Sequence, residues 1–249
     1  MYRQLDPAQI TETARTLSSR IADRFPGSGL SRVSIELLDV AQESHASIER
    51  TSRPYWPLRL LAFSGLVLLI ALVGTAAFTI PLRGTAGGWV DLAQGVEAVV
   101  NEVVFLGIAV FFLFTLESRR RRAHALRSIH ELRSIAHVVD MHQLTKDPDA
   151  VMTPERATPS SPGRRSMTRF ELSRYLDYCS ELLSITSKLA ALYAQHVQDP
   201  VVLDAVNGIQ NLTQGLSAKI WQKIMILDSL SDVSMRQPSA SPAIRNNSV

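Results

Sequence analysis

A run of 23 residues without a single charge, residues 60–82 (LLAFSGLVLLIALVGTAAFTIPL), constrains the fold more than anything else in the chain. At about 1.5 Å per residue a helix of this length reaches roughly 34 Å, the thickness of the hydrocarbon core of a bilayer. It starts well inside the chain, after polar helical sequence, and ends in no small-residue cleavage pattern, so a retained transmembrane helix is expected rather than a signal peptide. Residues 96–116 (VEAVVNEVVFLGIAVFFLFTL) form a second apolar block, read as a second span; a buried or re-entrant helix is the alternative, because Glu97, Asn101 and Glu102 occupy its first third.

The placement of charge orients these spans. Arg119, Arg120, Arg121 and Arg122 follow the second one directly, Arg50, Arg53 and Arg59 precede the first, and the connection 83–95 offers Arg83 against Asp91. Positively charged flanks stay on the cytoplasmic side, so a two-span hairpin in the cell membrane with both termini cytoplasmic is expected. Tyr55, Trp56 and Trp89 fall where amphipathic rings settle at membrane interfaces. The connection is too short and glycine-rich for an external sensor domain.

Composition closes off other classes. With 46% hydrophobic and 20% charged residues the chain is not a disordered protein. One cysteine, Cys179, excludes an intrachain disulfide framework and any cysteine-rich metal site. The net charge of +3 is small and matters only because the four arginines are clustered, where they attract anionic headgroups at about 1 kcal/mol each. Membrane lipids are therefore expected partners. No aromatic residues interleave the arginines, so no nucleic acid is expected.

The rest of the chain reads as an all-α protein. Residues 1–53 form a cytoplasmic helical pair: Asp6 as cap, Pro7 at the first helical position and Gln9 as capping-box partner start one helix, and Ile10, Ala14, Leu17, Ile21 and Phe25 form its stripe. Ser31 is expected to cap the second helix, whose stripe is Val33, Leu37, Val40 and Ile48. The transmembrane hairpin occupies 58–116. Nothing breaks a helix before Pro148, so 117–146 continue the second span as a basic stalk. Four prolines among serines and threonines make 147–166 a disordered linker. A carboxy-terminal helical hairpin fills 167–233, with Leu172, Leu176, Cys179, Leu183, Leu189 and Tyr193 on one helix and Val202, Val206, Ile209, Leu216, Ile220 and Leu227 on the other, capped by Asp199. A disordered polar tail, 234–249, ends the chain.

One string invites chemistry. His130, Glu131, Leu132, Arg133 and Ser134, with His137, Asp140 and His142 beyond, resemble over five residues the phosphoacceptor box of sensor histidine kinases. The resemblance implies a phosphoryl-accepting His130. Ile135 stands where that box has proline, and no asparagine or glycine box of a kinase ATP-binding domain follows, so only receipt of phosphate from another protein is compatible with the sequence. A metal site is the second reading, but at 100° per residue His130, His137 and His142 share no face, and Arg133 stands between the first two. The third reading makes Ile129, Leu132, Ala136 and Val139 a packing seam, with His130 and His137 on the polar back of the helix and the cover supplied by another chain or by the carboxy-terminal hairpin.

Glu97, Asn101 and Glu102 are read as an interfacial helix start, with a pore-lining ring as the alternative. Cys179 is read as a small core residue rather than a nucleophile. No phosphate-binding glycine loop, nucleophile elbow, HExxH or EF-hand loop occurs, so neither enzymatic activity nor a cofactor is expected. The leading expectation is a membrane anchor that tethers or regulates a cytoplasmic protein through its helices and self-associates. An oligomeric pore is the first rival, and in architecture alone the paired spans are similar to the two-span SLATT effector domains of bacterial conflict systems. Phosphoacceptor or metal chemistry at His130 is the second rival.

Overall fold

A computed structural model describes residues 4–52, most of 60–75, 89–146, Pro148 and 167–236. Among the described residues every regular element is a helix. The first expected span, the connection up to residue 88, the linker and the tail lie partly or wholly outside them. The principal helices are α1 (Pro7–Arg24), α2 (Gly29–Ser52), α3 (Trp89–Leu144), α4 (Arg169–His196) and α5 (Pro200–Arg236). Contacts divide the chain into two units: Met1–His45 with Ser128–Val249, and Ala46–Arg127.

Helix starts follow local chemistry. Asp6 Oδ1 accepts from the Ala8 amide at 2.9 Å and Pro7 opens α1, as the sequence predicts. Gln9 takes no part in that cap and lines a groove between α1 and α4 instead. After Phe25 the chain turns through Gly27, whose φ of 68° is left-handed and suits glycine. Ser28, not Ser31, then caps α2: its Oγ accepts from the Ser31 amide at 3.1 Å, and its carbonyl accepts from the Arg32 amide. Ser31 is one turn too far along and is buried inside the helix. Thr168 and Glu171 close a reciprocal capping box at the head of α4, and Asp199 Oδ1 accepts from the Val201 amide at the head of α5.

The first unit is a bundle in which the expected apolar stripes cover one another. The antiparallel pair α4 and α5, joined by residues 197–199, buries Leu176, Leu183, Leu189, Val202, Ile209 and Ile220 almost completely. Helix α1 packs antiparallel on α4: the Leu5 amide and carbonyl pair with the Gln195 side chain at one end, and Phe25 meets Tyr175 and Tyr178 edge-on at the other. Helix α2 joins through Tyr193 Oη to Ser44 Oγ at 3.0 Å and through Ser18 Oγ to Ser34 Oγ at 3.1 Å. Buried hydroxyls in such pairs keep their hydrogen bonds while the surrounding side chains are apolar.

The last part of α3 completes this unit. Ile129, Leu132, Ala136 and Val139 are at most 2% exposed, and Ile135 and Gln143 extend the same face. Arg133 lies against Gly208 of α5, and His142 against Gly29 of α2. Lys223 of α5 donates to the carbonyls of Gln143 and Lys146 at 2.8 and 3.2 Å, satisfying acceptors that the end of a helix leaves open. The cover for the seam is thus the chain's own bundle.

In the second unit α3 begins at Trp89, so 89–95, expected as loop, is already helical. Nothing between Trp89 and Leu144 introduces proline, which lets one helix run through both the apolar block and the stalk. It is one helix long and apolar enough to cross a membrane, and its apolar window is not buried by protein. Phe105 and Phe111 are 74% and 72% exposed. A shorter apolar helix covers Phe63–Thr75, within the first expected span.

Candidate functional site

The sequence-predicted residues on α3 do not converge. His130, Glu131 and His137 are exposed on the back of the helix, opposite the buried seam. Arg133 is half-buried, with Nη2 over the Gly208 backbone. Asp140 Oδ1 accepts from Gln143 Nε2 at 2.6 Å, which leaves the buried Gln143 Oε1 without a hydrogen-bond partner. His142 sits on another face against Gly29, and burial, Arg32 and Lys146 together hold its pKa below the usual histidine value. Among the described residues no group of three or more histidine, cysteine, aspartate or glutamate side chains is placed to hold a metal ion.

Glu97, Asn101 and Glu102 are exposed on the first part of α3, beside Val96, Val100, Val103 and Val104. Arg119 and Arg120 are exposed and Arg121 and Arg122 half-buried, in the same unit.

Cys179 lies in the core of the bundle, where burial pushes its thiol up to about 12 against the opposing pull of Lys223 and Lys146. A protonated, inaccessible thiol is a packing group, not a nucleophile. Burial likewise raises Tyr175 and lowers Lys146, whose Nζ lies 5.1 Å from the centre of the Tyr175 ring.

A constellation absent from the sequence reading lies at the junction of α1 and α4. The guanidinium carbons of Arg20 and Arg174 stand 5.4 and 5.3 Å from the centre of the Tyr178 ring, and that of Arg24 stands 5.4 Å from the ring of Phe170. Arg20 pairs with Glu181 at 3.2 Å and Arg174 with Asp177 at 3.1 Å. Its only sequence signal is the spacing of Arg20 and Arg24, one turn apart on a helix. Further along, Ile10, Leu17 and Ile185 floor a groove of about 640 Å³ between α1 and α4, rimmed by Glu12, Thr13 and Lys188.

Comparison with known proteins gives no match: no family model, no curated protein and no solved structure is similar to this chain.

Proposed function

We propose that the chain is a membrane-anchoring interaction protein, crossing the cell membrane twice with both termini cytoplasmic and tethering or regulating a partner through its cytoplasmic helical bundle. The observation that supports this reading is the contrast between the two units. The bundle satisfies its own stripes, with a filled apolar core and capped helices, whereas the apolar part of α3 has no protein cover and is long enough for a bilayer. A soluble protein rarely leaves so large an apolar surface uncovered. What the bundle leaves outside is apolar at Met141, Leu144, Trp221 and Met225, each at least 58% exposed, and these are the places for a partner.

Reporter fusions at Gly87 and at the end of the chain test the topology. Opposite sidedness is expected; identical sidedness removes the hairpin. Crosslinking in native membranes tests the interaction, and only monomers with no co-purified partner would count against it.

A second reading, an oligomeric pore, is favoured by Glu97, Asn101 and Glu102, exposed among valines on a helix that needs lipid or protein around it. Purified protein in planar bilayers decides between the two: conductance reduced by Glu102→Gln supports the pore, and its absence leaves the anchor.

A further inference from the structure

The hollow between the end of α1 and the start of α4 has a volume of about 470 Å³ and is lined by Arg20, Arg24, Arg174, Tyr178 and Asp23. The lining carries three guanidinium groups and one carboxylate, and Glu181 and Asp177 at its edge pair with Arg20 and Arg174. Arg20 and Arg24 are one helical turn apart, where like charges repel, and the fold brings Arg174 to the same place from a different helix.

The neighbouring carboxylates are already engaged. Glu181 takes Arg20, Asp177 takes Arg174, and Glu171 is held by the Thr168 amide and hydroxyl at 2.8 and 3.0 Å in the capping box. Arg24 forms no ion pair within 4 Å among the described residues; its guanidinium rests on Phe170, and its charge, after the Thr168 hydrogen bonds, helps to hold the Glu171 carboxyl below its ordinary value. The Arg20–Glu181 pair is a surface pair, weak enough to yield to a stronger anion, whereas Arg174–Asp177 is half-buried. Tyr178 lies against the guanidiniums of Arg20 and Arg174 and Phe170 against that of Arg24, and Arg20 and Arg174 each give one N–H donor to a carboxylate, which leaves their other donors for a ligand.

We propose that this hollow binds a phosphate dianion. A tetrahedral dianion with several acceptor oxygens can displace these single carboxylates, because it can be shared by guanidinium forks from two sides, which a single carboxylate cannot do. The chemistry is common to soluble phosphate or phosphomonoesters and to the headgroup of phosphatidic acid. Binding draws α1 and α4 together at Tyr178, so the ligand stabilises the bundle.

The full chain in nanodiscs of phosphatidylcholine, titrated with inorganic phosphate against chloride at equal ionic strength, tests the site by calorimetry and thermal unfolding. Saturable binding that is stronger at pH 8 than at pH 6, and weakened about tenfold by Arg24→Gln or Arg174→Gln, is expected. Arg24→Lys keeps the charge but loses the fork and should also weaken binding, while Arg127→Gln, outside the hollow, should not. A second arm replaces part of the lipid with phosphatidic acid and adds no phosphate. A rise in unfolding temperature in that arm alone, abolished by Arg24→Gln, assigns the site to a lipid headgroup; binding in the first arm assigns it to a soluble ligand. No saturable binding in either arm, equal stabilisation by chloride, or binding unchanged in the arginine variants overturns the proposal.

Discussion

Arg133 of α3 lies so close over Gly208 of α5 that a Cβ at position 208 would stand 2.7 Å from its Nη2. The glycine is a notch for the arginine, and the atom that must give way is the far end of a flexible side chain. Gly208→Ala should therefore gain most of the roughly 1 kcal/mol that alanine offers over glycine within a helix, less the cost of displacing Arg133. Combined with Arg133→Ala the full gain should appear, so a double-mutant cycle measured by chemical denaturation should show positive coupling between the two positions.

The second notch behaves differently. A Cβ at Gly29 would collide with the His142 ring, which is half-buried between α2 and α3 and has less room to move than an arginine tip. Gly29→Ala should destabilise the bundle by about 1–3 kcal/mol, read as a lower unfolding midpoint, and Gly29→Ala with His142→Ala should recover part of the loss.

His142 also makes stability depend on pH. Its folded pKa lies below the ordinary value of 6.5, because burial first, then Arg32 and Lys146, disfavour the charged ring. The unfolded chain therefore binds the proton more readily. Its contribution is complete above pH 6.5 and is lost as the pH falls through the folded value. His142→Gln should flatten the fall of unfolding temperature below pH 6.5 relative to the wild type; an unchanged pH profile would exclude His142 as its source.

Cys179 should resist maleimide at neutral pH in the folded protein and react at once in denaturant, since its thiol is buried and pushed up to about 12. Mass spectrometry of labelled chains reads the difference. Cys179→Ser, which buries a hydroxyl in the same place, should cost about 1–3 kcal/mol.

Lys223→Met should loosen the end of α3. The substitution keeps the aliphatic stem but removes the donor to the Gln143 and Lys146 carbonyls, at an expected cost of about 1–3 kcal/mol. Hydrogen exchange should rise around residues 143–146 before it rises in α4.

Much of the bundle was legible because its signals are local. The stripes on α1, α4 and α5, the seam from Ile129 to Val139, and the caps at Asp6 and Asp199 each lie within a few turns of sequence, and burial follows them closely. The α2 cap was misplaced because Ser28 and Ser31 are both plausible caps three residues apart, and only packing tells that Ser31 is inside. The helical start at Trp89 was hidden by the glycines before it, which read as loop. The arginine hollow was not legible at all. Arg20 and Arg24 meet Arg174 only through the antiparallel packing of α1 on α4, and no pattern within either helix announces the other. Conversely, the histidine string reads as a motif, yet helical geometry spreads it over separate faces.

The pairing of Leu5 with Gln195 fixes when the bundle can close during synthesis. Helices α1 and α2 leave the ribosome first, but the helix that covers α1 is finished only after both apolar segments have been made. At 5–20 residues per second that interval is roughly 10–30 s. Throughout it the amino-terminal pair carries bare leucine and isoleucine faces. Slowing the ribosome between these helices should therefore increase the chain's tendency to aggregate.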